Sequence, residues 1–344
     1  MNPLAPTTIN LGIIGLGHAG RQQLRATSSI ASINVVALAE VSPHPDLVER
    51  RDIPLYQDWH ELLTDPAIGA VSICLPHYLH AEVAIAALRA GKHVLLEKPL
   101  ASSLEEAQRI VEAARVAGRV LMVEMTHHFY PPLRAGRDLI QSGRLGHIYA
   151  VEDRIIEAIP PGRLPPWMLQ RQFAGGGVAL TNGIHMLDRI TWMCGQPLRF
   201  HSGVAGWTYQ LGDIEDTAAM QLSLADGTPV AFLAAWPHGS GLDDELTIYG
   251  SEGTLRIWAW RGWRFEPIQP NAGEAEEHTG YRPDDDRAAR ARIGMSGALA
   301  EFAGAIAEGR TPDPAPEQVL AAQAIVEEFY RHVSVKDVGV KAQS

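Results

Sequence analysis

The chain has 344 residues, 46% of them hydrophobic, which is enough for more than one buried core. Its formal net charge is −11 without long blocks of like charge, and this argues against a nucleic-acid groove or a membrane-binding face. The chain has two cysteines, no apolar stretch of membrane-spanning length and no basic leader pattern. We therefore expect a cytoplasmic protein whose partner is a small molecule.

A glycine-rich turn follows the first apolar run, Ile9 to Ile14. In a G-x-G-x-x-G turn the first glycine permits a tight bend, the second lets a pyrophosphate approach the backbone, and the third lets helix and strand pack closely. We expect this loop to bind a dinucleotide cofactor through Gly15, Leu16, Gly17, His18, Ala19 and Gly20.

Glu40 ends the second β-rich run, Ile33 to Ala39, twenty residues after Gly20. A carboxylate at this position accepts hydrogen bonds from an adenosine ribose and repels a 2′-phosphate. Val41 and Ser42 supply no cation to receive such a phosphate. The sequence therefore predicts NAD as the cofactor, with NADP disfavoured.

Strands and helices continue to alternate after Glu40. Strands are predicted over Ala70 to Leu75, Val94 to Leu96 and Arg119 to Val123, with helices from Ala81 and after a capping box at Ser103. This alternation predicts an α/β Rossmann domain with a doubly wound parallel sheet.

The strand from Val94 to Leu96 ends in Glu97, Lys98 and Pro99, at the carboxyl edge where open parallel sheets bind ligands. Because the chain must turn sharply there, we predict a cis peptide bond between Lys98 and Pro99.

The glycine loop, the run from Ser72 to His80 and the phrase from Ala90 to Leu100 together resemble the Gfo/Idh/MocA family, named for glucose-fructose oxidoreductase, inositol dehydrogenase and MocA. The resemblance implies that Lys98 lies beside the nicotinamide and the reacting hydroxyl. It also implies a cofactor-binding set of Leu75, Pro76, His77, His80 and Glu97.

The predicted cofactor-binding set contains two histidines. The family usually has asparagine where this chain has His77. His80 matches the family's histidine, and it either orients the following helix or contacts the cofactor.

The rest of the chain resembles the family's second half. This implies an NAD-binding domain over residues 1–125 and a substrate-binding and oligomerisation domain over 126–344, an α+β domain with a large, mainly antiparallel, open-faced sheet. The outer face of that sheet either packs against another subunit, giving a homodimer or homotetramer, or is solvated.

A triple glycine, residues 175–177, precedes Thr181, Asn182 and His185. The family pattern there is Gly-Gly-Gly, then aspartate, then histidine four residues later, and it implies that His185 is the acid-base group. Thr181 replaces the aspartate. If the segment is one helix, Thr181 and His185 share a face, and we expect Thr181 and Asn182 to orient the substrate.

His127 and Trp167 are further candidates for substrate contact. His127 and His128 are adjacent and have no third ligand at metal-binding spacing, so we predict no metal site. Trp167 ends a proline-rich loop, and it either stacks on a sugar ring or pins the loop to the core.

These features predict an NAD-dependent oxidoreductase acting on a secondary alcohol of a sugar, polyol or related polyhydroxy compound. His185 would accept the hydroxyl proton and Lys98 would stabilise the developing alkoxide. One alternative is reduction of an unsaturated cyclic substrate or NAD-dependent, redox-neutral glycoside cleavage. Another is a non-catalytic NAD-binding regulatory protein.

Overall fold

A computed structural model describes residues 8–42, 52–209, 212–239, 241–268, 275–278 and 287–336. The chain divides into two compact units. The first contains Met1–Phe129 and Asp286–Leu320, and the second contains Tyr130–Asp285 and Ala321–Ser344. Residues 286–320 thus belong to the first unit, whereas the sequence predicted them in the second domain. The domain boundary between residues 125 and 126 stays a prediction. Within the described ranges, no helix has both the length and the apolar character needed to cross a membrane.

The first unit contains a six-stranded parallel sheet. Its strands are β1 (Ile9–Ile14), β2 (Ile33–Ala39), β3 (Leu55–Tyr56), β4 (Ala70–Ile73), β5 (His93–Leu96) and β6 (Leu121–Val123). They lie in the order β3-β2-β1-β4-β5-β6, which reverses between β1 and β4. The predicted doubly wound Rossmann sheet is confirmed, and ligands bind such sheets outside the carboxyl ends of the strands at this reversal.

Helices connect these strands. They are α1 (His18–Thr27), α2 (Trp59–Thr64), α3 (His77–Arg89) and α4 (Leu104–Ala117). The Ser103 hydroxyl caps α4 by accepting a hydrogen bond from the Glu106 amide at 3.3 Å, and Gly118 ends the helix at φ +60°. The Ser103 half of the predicted capping box is therefore present, while the Glu106 carboxylate accepts a hydrogen bond from the Ser102 hydroxyl at 2.6 Å.

The second unit contains an eight-stranded sheet in the order β14-β13-β12-β11-β7-β10-β9-β8. Its strands are β7 (Ile148–Glu157), β8 (Leu198–Gly206), β9 (Thr217–Leu224), β10 (Pro229–Ala235), β11 (Leu242–Gly250), β12 (Gly253–Trp258), β13 (Gly262–Pro267) and β14 (Glu276–His278). The pair β7 and β10 is parallel and the other pairs are antiparallel. This confirms the large, mainly antiparallel sheet.

Shorter helices accompany this sheet, and two longer helices end the described chain. The helices of the second unit are α5 (Pro131–Gln141), α6 (Arg171–Ala174), α7 (Val178–Thr181) and α8 (Gly183–Cys194). They are followed by α9 (Arg287–Glu308) and α10 (Pro316–Lys336). In the first unit, Met295, Leu299 and Phe302 of α9 belong to the same buried cluster as Leu95 and Met122 of the parallel sheet.

Candidate active site

Two glycines of the first loop are required by the packing of the protein itself. Gly15 has φ +88°, and a Cβ there would lie 2.5 Å from the Cys74 carbonyl oxygen. A Cβ on Gly20 would overlap the Gly15 carbonyl oxygen. At Gly17, by contrast, a Cβ would meet no described atom within 4 Å. The open space at Gly17 is therefore available to a ligand that approaches the backbone, as the pyrophosphate of a dinucleotide does.

Helix α1 begins directly after this glycine. Gly17 is its N-cap and contributes no side-chain hydrogen bond, and the first turn, with His18 and Ala19, contains no acidic residue. The amide groups and the positive end of the helix dipole therefore suit an anionic phosphate.

Glu40 lies next to the glycine loop. Its Oε2 accepts a hydrogen bond from the Leu16 amide at 2.7 Å, and its Oε1 accepts one from the Ser42 amide at 3.0 Å. An ionised carboxylate only accepts hydrogen bonds, so it matches the hydroxyl groups of a ribose. The residues present therefore fit an NAD-type dinucleotide.

The turn from β4 to α3 contains Leu75, Pro76 and His77. Helix α3 begins at His77, four residues before the predicted start, and the His77 side chain is buried. The other member of the predicted set on this helix, His80, is buried as well.

Both ring nitrogens of His80 face backbone carbonyl groups. Nδ1 lies 2.8 Å from the Pro99 oxygen, and Nε2 lies 2.8 Å from the Leu75 oxygen. Burial lowers the pKa of His80, against the opposing effect of these carbonyl groups. His80 thus ties the turn after β4 to the segment after β5, which favours the orienting role over a cofactor contact.

Lys98 follows β5 at the carboxyl edge of the sheet. The Lys98-Pro99 peptide bond is cis, which confirms that prediction. The Lys98 side chain is half-buried, and its backbone amide donates to Oε2 of Glu97 at 2.5 Å. Burial raises the pKa of Glu97, and the charge of Lys98 opposes that effect.

Glu124 follows β6 at the same edge and was not predicted as a site residue. It belongs to a buried chain of hydrogen bonds in which Ser72 donates to Gln23, and Gln23 donates to Glu124. An acidic residue directly after a predicted apolar strand was the available signal in the sequence.

The triple glycine of the second unit also has a packing explanation. Gly175 ends α6 with φ +83°. A Cβ on Gly176 would overlap the Tyr330 hydroxyl, and one on Gly177 would overlap the Glu215 backbone. The chain here must therefore be glycine to lie against Glu215, which precedes β9, and against Tyr330 of α10.

Glu215 fixes the start of α7, and sequence reasoning missed it. Its buried carboxylate accepts hydrogen bonds from the amides of Gly177 at 3.0 Å and Ala179 at 2.9 Å, and from the Tyr330 hydroxyl at 2.9 Å. A carboxylate bound to the first amides of a helix stabilises that helix start. Glu215 therefore positions the segment that leads to Thr181.

The expected single helix containing Thr181 and His185 is interrupted. Helix α7 ends at Thr181 and α8 begins at Gly183, with Asn182 between them. The His185 amide donates to the Asn182 carbonyl at 3.1 Å, a three-residue spacing that departs from the regular α-helical ladder. The condition of one uninterrupted helix is therefore not met, and the shared face of Thr181 and His185 stays a prediction, with both side chains half-buried near this junction.

The Asn182 amide is held on both sides. Nδ2 donates to Oε2 of Glu157 at 2.9 Å, and Oδ1 accepts from Nε1 of Trp236 at 3.0 Å. The side chain of Asn182 thus joins the end of β7 to the segment after β10. Neither Glu157 nor Trp236 was predicted, because these residues are 25 and 54 positions away from Asn182 in the sequence.

Helix α8 is anchored by a buried arginine. Arg189 donates to Asp153 of β7 from Nε at 2.8 Å and to Asp244 of β11 from Nη1 at 2.7 Å. All three side chains are buried. This cluster fixes the helix that carries His185.

His127 and Trp167 lie in short 3-10 helices, Thr126–Phe129 and Pro166–Leu169. His127 is buried, and Trp167 is half-buried. His128 directs Nδ1 at Oδ1 of Asp313, 3.0 Å away. Among the residues that the structure describes, no three His, Cys, Asp or Glu side chains form a group that could hold a metal ion.

The predicted site residues therefore fall into two sets. The first unit holds the glycine loop, Glu40, His80, Glu97 and Lys98 around the carboxyl ends of its strands. The second unit holds Thr181, Asn182 and His185 at the junction of α7 and α8.

A parallel sheet of this strand order, with a glycine turn after β1 and an acidic residue after β2, defines a dinucleotide-binding Rossmann protein. The chain belongs to the GFO/IDH/MocA oxidoreductase family. Residues 9–125 match the family's NAD-binding Rossmann fold, and residues 133–256 match the GFO/IDH/MocA C-terminal domain.

Known relatives are similar over most of the chain. Levoglucosan dehydrogenase of Pseudarthrobacter phenanthrenivorans is 26% identical over 284 residues, which cover 72% of this chain and 73% of that protein. Myo-inositol 2-dehydrogenase of Thermotoga maritima is 26% identical over 257 residues, covering 72% of this chain and 74% of that protein.

A solved structure extends the similarity in fold. A levoglucosan dehydrogenase in complex with NADH and levoglucosan superimposes with a TM-score of 0.83 and 23% identity. The match covers 96% of this chain and 98% of the other. At this level of identity the likeness establishes the fold alone.

Proposed function

We propose that this protein transfers hydride between NAD and a secondary alcohol of a sugar, polyol or related polyhydroxy compound. The carrying observation is that a member of this oxidoreductase family has both Lys98, at the carboxyl edge of the Rossmann sheet, and His185, on α8 of the second unit. The named activities of two relatives, on levoglucosan and on myo-inositol, support this substrate class.

NAD is the proposed cofactor rather than NADP. The support is Glu40, whose carboxylate lies within 2.7 Å of the Leu16 amide in the glycine loop. A carboxylate there attracts ribose hydroxyl groups and repels a 2′-phosphate. When bound, NAD supplies the hydride acceptor.

The proposed chemistry divides between two side chains. His185 removes the proton of the substrate hydroxyl at its imidazole ring, while the hydride leaves the carbinol carbon. Lys98, as a half-buried cation, stabilises the negative charge that develops on the carbinol oxygen. His80 positions Lys98 by holding the carbonyl group of Pro99.

Substrate orientation is proposed for Thr181, Asn182, His127 and Trp167. Because the Asn182 amide binds Glu157 and Trp236, its part is to hold the Glu157 carboxylate beside the α7–α8 junction. A carboxylate at this junction accepts hydrogen bonds from substrate hydroxyl groups. The neutral hydroxyl group of Thr181, which replaces the family's aspartate, accepts such bonds less strongly.

The test is NADH formation by the purified protein with NAD or NADP and a panel of sugars, inositols, anhydrosugars and sugar acids. Turnover with NAD on one class is the expected result. Tight NAD binding without NADH formation on any member would contradict the proposal. Product analysis would then separate redox-neutral cleavage from a regulatory role.

We also propose that the protein is a homo-oligomer through the outer face of the eight-stranded sheet. On that face Val204 of β8 and Leu233 of β10 both lie opposite Ala219 of β9 and are 61% and 39% exposed. Apolar side chains grouped on an exposed sheet favour association. Light scattering of the native protein and of a V204E/L233E variant tests this, with a shift toward monomer expected.

A further inference from the structure

Two glutamates stand side by side at the carboxyl edge of the Rossmann sheet. Leu96 of β5 pairs with Val123 of β6, and the Glu124 amide donates to the Leu96 carbonyl at 2.8 Å. The next residues, Glu97 and Glu124, therefore occupy neighbouring positions. Because equivalent positions on adjacent strands point to the same face, both carboxyl groups leave the sheet on one side.

Glu124 is enclosed by the protein. Its side chain is 1% exposed, and Oε2 accepts a hydrogen bond from Nε2 of Gln23. Oε1 is buried and has no hydrogen-bond partner among the described residues. An ionised carboxylate needs acceptor contacts at both oxygens, so a bare buried oxygen disfavours the charged form.

A second contact continues this chain of hydrogen bonds. Oε1 of Gln23 accepts from the Ser72 hydroxyl, and Nε2 donates to Glu124. This contact serves one oxygen of Glu124 and does not reach the other. Gln23 therefore accommodates a neutral carboxyl group as well as a charged one.

The charged groups that act on Glu124 are its neighbours at the sheet edge. Burial is the largest cause that raises the pKa of Glu124 well above its usual value, the Glu97 charge adds to it, and the Lys98 charge opposes it. The Cys74 thiol directly follows β4, which lies on the other side of β5, and burial together with both glutamates raises its pKa, so it is uncharged. From α9, the apolar Met295 and Leu299 pack into the core beneath this face.

We propose that Glu124 carries a proton at neutral pH, so that Glu97 and Glu124 together hold one negative charge next to Lys98. One carboxylate then balances one ammonium group, whereas two carboxylates would leave a net charge in a buried site. Glu124 is in this sense a positioning residue, because it sets the charge that surrounds Lys98. The proposal concerns charge states and stands independently of the substrate.

Infrared difference spectroscopy of the full chain tests the proton on Glu124. At neutral pH the wild type minus E124Q spectrum is expected to contain the C=O stretch of a protonated carboxyl group, shifted in D2O. The matched control, E112Q, removes a surface glutamate paired with Arg115, and its difference spectrum should contain carboxylate bands and no protonated-carboxyl band. A carboxylate difference for E124Q would overturn the proposal.

The electrostatic coupling of Glu124 to Glu97 and Lys98 is tested separately, with variants that retain Glu124. These variants also test the proposal if E124Q does not fold. In E97Q the titration of the protonated band should move to lower pH, because a like charge is removed. In K98M it should move to higher pH, because an opposite charge is removed. A band that titrates identically in wild type, E97Q and K98M would overturn the shared charge.

Discussion

Nδ2 of Asn182 lies 2.9 Å from Oε2 of Glu157 and donates a hydrogen bond to it, joining the residue between α7 and α8 to the last residue of β7. The other end of the same amide accepts the indole proton of the buried Trp236. One side chain thus fixes a helix junction, a strand end and an aromatic ring. The proposed catalytic His185 lies one turn further along.

Replacing Asn182 with alanine should therefore lower both stability and activity. The indole nitrogen of Trp236 and the Glu157 carboxylate each lose a partner, which costs about 1–3 kcal/mol of unfolding free energy. Denaturant unfolding and NADH formation are the measurements. N34A is the matched control, because Asn34 has an exposed amide on β2. Equal stability of the two variants would contradict the proposed role of Asn182.

The glycine loop permits a separation of cofactor binding from folding. G17A adds a methyl group where no described atom lies within 4 Å, so its thermal midpoint should match wild type. The methyl group would obstruct a pyrophosphate, and NAD affinity should fall about tenfold or more by calorimetry. G20A should instead lose stability, since its Cβ overlaps the Gly15 carbonyl oxygen. Full NAD affinity in G17A would contradict the assignment.

Two lysines flank β5 and should behave differently. K98A should lower turnover by about two to four powers of ten while NAD binding is retained. Lys92 is 6% exposed, and its ammonium group donates to the carbonyl oxygens of Asp65 at 2.7 Å and Ile68 at 2.8 Å. K92M should therefore lose about 1–3 kcal/mol of stability and keep its turnover per folded molecule. A K98A variant with most of its rate would contradict the mechanism.

The stability of the protein should depend on pH through Glu124. Its pKa is raised in the folded state, so its contribution is fully present below the unfolded value, about 4.3, and is lost as pH rises through the folded value. E124Q lacks this dependence. Its unfolding free energy relative to wild type should thus increase above about pH 4.3, by about 1.4 kcal/mol per pH unit in that window. A pH-independent difference in urea unfolding would exclude a raised pKa.

Much of the Rossmann unit was predictable from the sequence because its strands are apolar runs that are followed by glycine, proline or a charged residue. The bounds of β1 and β2 were predicted to the residue. Helix α9 was missed, although Met295, Leu299 and Phe302 follow helical spacing. Its place in the first unit depends on packing, which spacing alone does not specify.

The site was less predictable where it depends on contacts distant in sequence. Glu157, Glu215 and Glu124 sit on or beside strands, where a single acidic residue has the pattern of a solvated one. Their partners, Asn182, Gly177 and Gln23, are 25, 38 and 101 residues away. The break at Asn182 is stabilised by contacts with Glu157 and Trp236, and the available signal in the sequence was the pair Asn182 and Gly183, which are both poor helix formers.

Arg189 should be the most sensitive position on α8. R189M would leave Asp153 and Asp244 buried and facing each other without a cation, which costs about 3–5 kcal/mol. R115M removes an exposed pair with Glu112 on α4 and should unfold like wild type. The triple variant D153N/R189M/D244N removes all three charges, and it should regain part of the stability that R189M loses. Because α8 carries His185, the surviving folded R189M should also turn over more slowly in NADH assays. An R189M protein as stable as R115M would show that the cluster does not anchor α8.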